Sequence, residues 1–221
     1  MDQPISFTEE NYLKTIYSLS RQGKGKIANL SIAEMLHINP ATVTEMLKKL
    51  NEKHFIDYTR IDGASLTAQG ELLALRVIRK HRLWESFLVS KLSFSWDEVH
   101  EIAEQLEHIQ SDKLIRQLDK FLGFPKFDPH GDPIPDKNGN LPLAKTFPLS
   151  EIEAPGIFKL IGVANHTASF LQYLDKMNIT ISDKIEVREI QEFDKSMLLK
   201  INNRSPMTIS HEIAKNLLVS D

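Results

Sequence analysis

A chain of 221 residues with 41% hydrophobic content can bury one large core or two modest ones. The absence of cysteine excludes disulfides, thiolate zinc sites, iron–sulfur clusters and thiol catalysis, and the net charge of −3 offers no global basic signal for nucleic acid. The opening residues lack a basic region followed by an apolar one, and no run approaches the ~20 apolar residues of a membrane span, so a cytoplasmic protein with no membrane partner is expected.

Thr8 is placed to cap a first helix whose apolar residues run Tyr12, Leu13, Ile16, Tyr17 and Leu19, with Gly23 and Gly25 ending it. Ser31 opens a short second helix through Ile32, Ala33, Met35 and Leu36. Asn39-Pro40 breaks it and starts a third, with Val43, Met46, Leu47 and Leu50 as its stripe. Ile56 to Arg60 reads as a strand, Asp62-Gly63 as a tight turn and Ala64 to Leu66 as the return strand. Three helices and a hairpin in this order make a winged helix-turn-helix.

Thr67 opens a long helix running past Phe87 and Leu88. Further helices are expected over roughly 97–109 and 111–121, the latter capped by Ser111. From Phe124 the composition turns irregular, with prolines at 125, 129, 133, 135, 142, 148 and 155. Beyond it, Ile157–Val163, Lys184–Gln191 and Met197–Ile201 read as strands. Ser169–Met177 reads as a short helix, and a last strand and helical turn fit Met207–Val219. A small β-barrel is the economical reading. The fold class is therefore mostly α with small β parts. The boundaries fall at 1–72 for the winged helix domain, 73–148 for the helical domain with its linker, and 149–221 for the small barrel.

His81 and Glu85 stand four residues apart. His100, Glu104, Glu107 and His108 follow at i, i+4, i+7 and i+8, so each set shares one face of a helix. Imidazole nitrogens with carboxylate oxygens suit a divalent transition metal of intermediate hardness. Any one of these residues alone would be read as part of a solvated polar face; the set points to metal.

In the helix-turn-helix, Ala41, Thr42, Thr44 and Glu45 occupy the N-terminal end of the recognition helix, where side chains meet base edges in the major groove. Lys48, Lys49, Lys53 and Arg60 would meet the DNA backbone.

Four stretches, TEENYLKTIYSL, NPATVTEMLKKL with its DGASLTAQG wing, HRLWESFL followed by VHEIAEQLEH, and DPHGDPIP, resemble the diphtheria toxin repressor family of metal-dependent transcription regulators over essentially the whole chain. The resemblance implies a dimeric repressor of metal-uptake genes, with an SH3-like barrel at its C-terminal end, that binds operator DNA when loaded with manganese(II) or iron(II). It implies a primary site of Glu104, Glu107, His108 and Asn11. A second site would comprise His81, Glu85 and His100, with Asn165 or His166 as the nearest barrel ligand. Three departures stand out: Glu104 replaces the cysteine of iron-selective members, which favours manganese; Asn11 replaces a thioether or carboxylate; and Lys14 replaces a second acid. Trp84, Phe87, Leu88, Leu106, Ile109 and Leu114 are the expected dimer surface. The competing classes are a metal-dependent hydrolase and a metal-independent adaptor. An enzyme would not need the winged hairpin.

Overall fold

The computed structural model describes residues 5–23, 25–143 and 145–220. Met1 to Pro4, at the head of the expected winged helix domain, lie outside the described residues. The chain divides into two compact units. The first comprises residues 1–81, 104–112 and 135–141, and the second residues 82–103, 113–134 and 142–221.

In the first unit, α1 (Phe7–Gln22) starts two residues earlier than expected, because Ser6 rather than Thr8 is its cap. Ser6 accepts from the Glu9 N–H and Glu9 returns a bond to the Ser6 N–H, a reciprocal capping box. Helix α2 (Asn29–Leu36) has Ala28, not Ser31, at its N-cap and ends at His37 in the left-handed conformation. Helix α3 (Pro40–Glu52) begins as expected, with Asn39 accepting from the Ala41 N–H and Pro40 in the first turn. Its buried residues Val43, Leu47 and Leu50 pack with Leu13, Ile16 and Ile32 into one core.

Strands β1 (Ile56–Thr59) and β2 (Gly63–Leu66) pair antiparallel. The connection is a three-residue loop, Arg60-Ile61-Asp62, and Gly63 belongs to the return strand. Gly63 has φ 90, and a Cβ there would run into the Ile27 carbonyl. Ile27 exchanges backbone hydrogen bonds with Ala64 at 2.7 and 2.8 Å, so the glycine lets a third segment close on the wing. Helix α4 (Ala68–Leu92) follows, with Thr67 accepting from the Gly70 N–H at its start.

In the second unit, α6 (Asp112–Phe121) buries Ile115 and Leu118 against Leu83 and Ile134. Helix α5 (Val99–Leu106) is shorter than the expected 97–109. The linker is irregular but tied down: Arg82 bonds the Asp132 carboxylate at 2.9 Å and the Pro133 carbonyl. Strands β3 (Phe147–Pro148), β4 (Gly156–Val163), β5 (Lys184–Ile190), β6 (Met197–Ile201), β7 (Met207–Ile209) and β8 (Leu217–Ser220) form an antiparallel sheet in the order β3-β8-β4-β5-β6-β7. Helices α7 (Ala168–Lys176) and α8 (His211–Lys215) complete it around Leu160, Leu174, Ile185, Leu199 and Leu217. Irregularities after Leu160 and Val187 bend its two long strands, as small curved sheets require.

Candidate metal centre

Helix α5 ends at Leu106, so Glu107 and His108 lie in the turn that follows rather than on its stripe. That turn separates the acids. Glu107 is 1% exposed, whereas Glu104, still on α5, is 53% exposed. Glu107 meets the His81 ring of α4, with Nδ1 and Oε2 2.6 Å apart. His108 Nδ1 meets the Glu10 carboxylate of α1 at 2.6 Å, with Phe7 stacked on its ring. Glu10 also accepts from Lys80 at 3.2 Å and Gln110 at 2.9 Å. Three elements of the first unit thus converge through two carboxylate–imidazole pairs.

A lysine lies inside this cluster. Lys14 Nζ is 2.8 and 3.0 Å from the two Glu107 oxygens, 3.7 Å from Glu104 Oε1 and 3.4 Å from His81 Nδ1. Burial alone would raise the Glu107 pKa, but the His81 hydrogen bond and the Lys14 charge outweigh it and hold the carboxyl below its ordinary value. Asn11 is on the exposed side of α1, and the first-helix carboxylate in the cluster is Glu10. The sequence reading missed Glu10, whereas it placed Lys14 where other members carry a second acid. The spacing of α1 carries the signal, since Glu10 and Lys14 are four residues apart and share a face.

A second cluster lies in the second unit. Glu85, Asp128 and His130 are buried, with one ligand-type atom from each within 4.8 Å of the others. His100 Nδ1 is 3.5 Å from Glu85 Oε1. His130 Nε2 donates to the Trp96 carbonyl at 2.8 Å, leaving Nδ1 toward Glu85 at 3.8 Å and Asp128 at 4.0 Å. Burial would lower the His130 pKa, but the adjacent carboxylates, Glu85 first and then Asp128, push it up to about 8. Burial and the charges of Asp132 and Glu85 push Asp128 up to about 7. His166 stacks on His130 at 4.9 Å, whereas Asn165 accepts from the Thr167 N–H and shapes a turn. His130 reads from sequence as an ordinary histidine; it is the ring at the centre of this cluster. His81 keeps the grouping with Glu85 and His100 expected from sequence, and it also bonds Glu107 of the first cluster.

Both clusters offer carboxylate oxygens and imidazole nitrogens and no sulfur, a set suited to manganese(II) or iron(II). In the first, the residues already hold a cation, the Lys14 ammonium. This donor chemistry fits a divalent ion.

On α3, Ala41 and Thr42 are exposed, while Thr44 is half-buried and accepts from Asn29 at 3.0 Å. Glu45 pairs with Lys48 at 2.8 Å. Lys49 and Lys53 pair instead with the buried Glu9 of α1, at 3.1 and 2.8 Å, which gives them a structural task in place of the DNA-backbone contact expected of them. Arg60 lies at the wing tip, exposed beside Ile61. Of the expected dimer surface, Leu88 is buried and Trp84 and Phe87 pack against the α6 core. Leu114 is exposed, as are Leu92, Phe121 and Phe124.

Three family models account for nearly the whole chain. They are the iron-dependent repressor N-terminal DNA-binding domain over residues 5–64, the iron-dependent repressor metal-binding and dimerisation domain over 67–136, and the FeoA domain over 147–221. A solved manganese-dependent transcriptional repressor in complex with manganese superposes with a TM-score of 0.87 at 31% identity, covering 96% of this chain and 99% of that one. The chain belongs to the diphtheria toxin repressor family. Within this repressor family, the iron-dependent repressor IdeR of Mycobacterium tuberculosis is 37% identical over 128 residues, 58% of this chain and 55% of that protein. The match spans about half the length of such curated relatives. A solved structure of ScaR with bound zinc superposes with a TM-score of 0.75 at 34% identity, over 96% of this chain and 98% of that one. The family is one of DNA-binding, metal-dependent transcriptional repressors, not enzymes. No helix among the described residues is long and apolar enough to cross a membrane.

Proposed function

We propose that this chain is a metal-responsive repressor of metal-uptake genes. It acts in the cytoplasm as a homodimer on operator DNA, with manganese(II) the preferred co-repressor and iron(II) the alternative. One observation carries the reading. Glu107 and His108, His81 of α4 and Glu10 of α1 converge, so the ligand-bearing turn is tied directly to the first helix of the DNA-binding domain. Glu104, Glu107, His108 and His81 would hold the ion, and Glu10 stands where a first-helix donor is needed. Carboxylates in place of thiolates favour manganese. When bound, the ion supplies a positive charge that lets neighbouring carboxylates share one site.

The second cluster is the candidate for a further ion, held by Glu85 and His100 with Asp128 and His130. His130 is well oriented for this, because its Nε2–H on a backbone carbonyl turns Nδ1 toward Glu85 and Asp128, where an ion would take the place of the Nδ1 proton. On the DNA side, Ala41 and Thr42 would meet base edges, with Lys48 and Arg60 on phosphates and Thr44 orienting the helix through Asn29.

The test is metal-dependent retention on fragments of host genomic DNA. The native chain should hold specific fragments with manganese(II) and release them in chelator. Glu107→Ala should lose at least about tenfold of the metal-stimulated affinity, a conservative figure for an allosteric coupling. Undiminished metal stimulation in that variant would remove the first cluster from the mechanism.

A further inference from the structure

The Lys14 ammonium occupies the space that a divalent ion would share with Glu107. It lies within 4 Å of three carboxylate oxygens and one imidazole nitrogen, all of them groups that the proposed function assigns to the ion. The same residue therefore neutralises the site and fills it. It is also 19% exposed, close enough to solvent for its flexible stem to swing out without unfolding the helix.

We propose that Lys14 is an internal counter-cation that competes with the divalent metal, setting the metal concentration at which the protein responds. The inference rests on the metal-site reading above. Two cations cannot both sit against the buried Glu107 at these distances, because their mutual repulsion is strong where the effective dielectric is low. Lys14 must withdraw before an ion can take both Glu107 oxygens. The binding-competent state is then only the fraction of molecules in which the ammonium has left, and apparent affinity falls by that fraction. Lys14 rides on α1, so the exchange also alters what fastens α1 to His81 and Glu107. A direct lysine tie gives way to a shared ion, and Glu10 with His108 remains as the second link.

The experiment is calorimetric titration with manganese(II) alone of the full chain, Lys14→Met, Lys14→Gln and Glu107→Gln. Circular dichroism of each checks the fold. Two neutral replacements are used so that a packing effect of either one is visible. Both Lys14 variants should bind manganese at least about tenfold more tightly than the native chain. They should also melt at a lower temperature without metal, since Glu107 keeps His81 but loses its lysine partner, and gain more in melting temperature on adding manganese. Affinity within about twofold of native, or weaker, in the folded Lys14 variants would overturn the proposal. If Glu107→Gln loses binding in that case, the site reading survives alone. If manganese binds none of the proteins, or binds Glu107→Gln as well as native, both fall together.

Discussion

At the buried end of α1, Glu9 ion-pairs with Lys49 at 3.1 Å and Lys53 at 2.8 Å, joining the first helix to the recognition helix. Burial would raise its pKa, but contacts from Lys53, the Ser6 N–H and Lys49 overcome it and hold the carboxyl at about 2, against an ordinary 4.5. A folded pKa below the unfolded one contributes stability that is complete above about pH 4.5. It is lost as pH falls from there toward 2. Lys53 is 15% exposed and Lys49 52%, so the two should not weigh equally. Lys53→Met is expected to cost about 1–3 kcal/mol, because it leaves a buried carboxylate short of a partner. Lys49→Met should cost under about 1 kcal/mol, as exposed pairs do. Urea denaturation at pH 7 and pH 3 measures both. The penalty of Lys53→Met should shrink at the lower pH, and a penalty independent of pH would mean that the pairing with Glu9 is not its source.

At the scale of elements, much of the chain is legible because local chemistry decides it. Asn39-Pro40 starts α3, Thr67 starts α4, and β6 runs over the same five residues as the alternating pattern. The fold class followed from the order of such signals. The misses have physical reasons. Ser6 and Thr8 are both hydroxyl caps, and only the Ser6–Glu9 spacing selects the first. The periodicity of VHEIAEQLEH extends past Leu106, but Glu107 turns inward to His81, a contact 26 residues away that no local pattern carries. The same holds for Lys14, 93 residues from Glu107, and for His130 beside Glu85. Ligand types were therefore readable, as was the grouping of His81 with Glu85 and His100, whereas the bond from His81 to Glu107 was not. In the wing, Gly63 is the position where an element depends on one residue. Gly63→Ala would force a left-handed φ on alanine and push the Ile27 segment away, at a cost of roughly 1–3 kcal/mol. Thermal unfolding should register that loss. A stability unchanged from native would show that the Ile27 bridge to Ala64 is dispensable.

At the scale of the whole molecule, the metal-binding domain of this chain is of the dimerising kind, and the proposed reading of a two-fold operator would need a partner copy. Helix α6 buries Ile115 and Leu118 and leaves Leu114 and Phe121 outward, with Leu92 and Phe124 exposed in the same unit. Phe121 is 63% exposed, with Phe87 against its ring and the Lys91 ammonium 5.5 Å from its centroid. An aromatic left exposed in this way on a helix of the dimerisation domain is the kind of side chain that carries an interface. Burying an aspartate in its place would remove that contact and leave an unpaired charge in the interface. Phe121→Asp is therefore expected to weaken the dimer by at least about 2 kcal/mol, roughly thirtyfold in its dissociation constant. Sedimentation velocity should show a monomer at concentrations where the native chain is dimeric. The first metal cluster is built from residues of the other unit, so manganese binding by titration should persist in this monomer. Retention on operator fragments should fall, because a single recognition helix has lost the partner that doubles its contacts. A Phe121→Asp chain that stays dimeric would move the interface elsewhere, and a monomer that still holds DNA at native affinity would sever dimerisation from operator recognition.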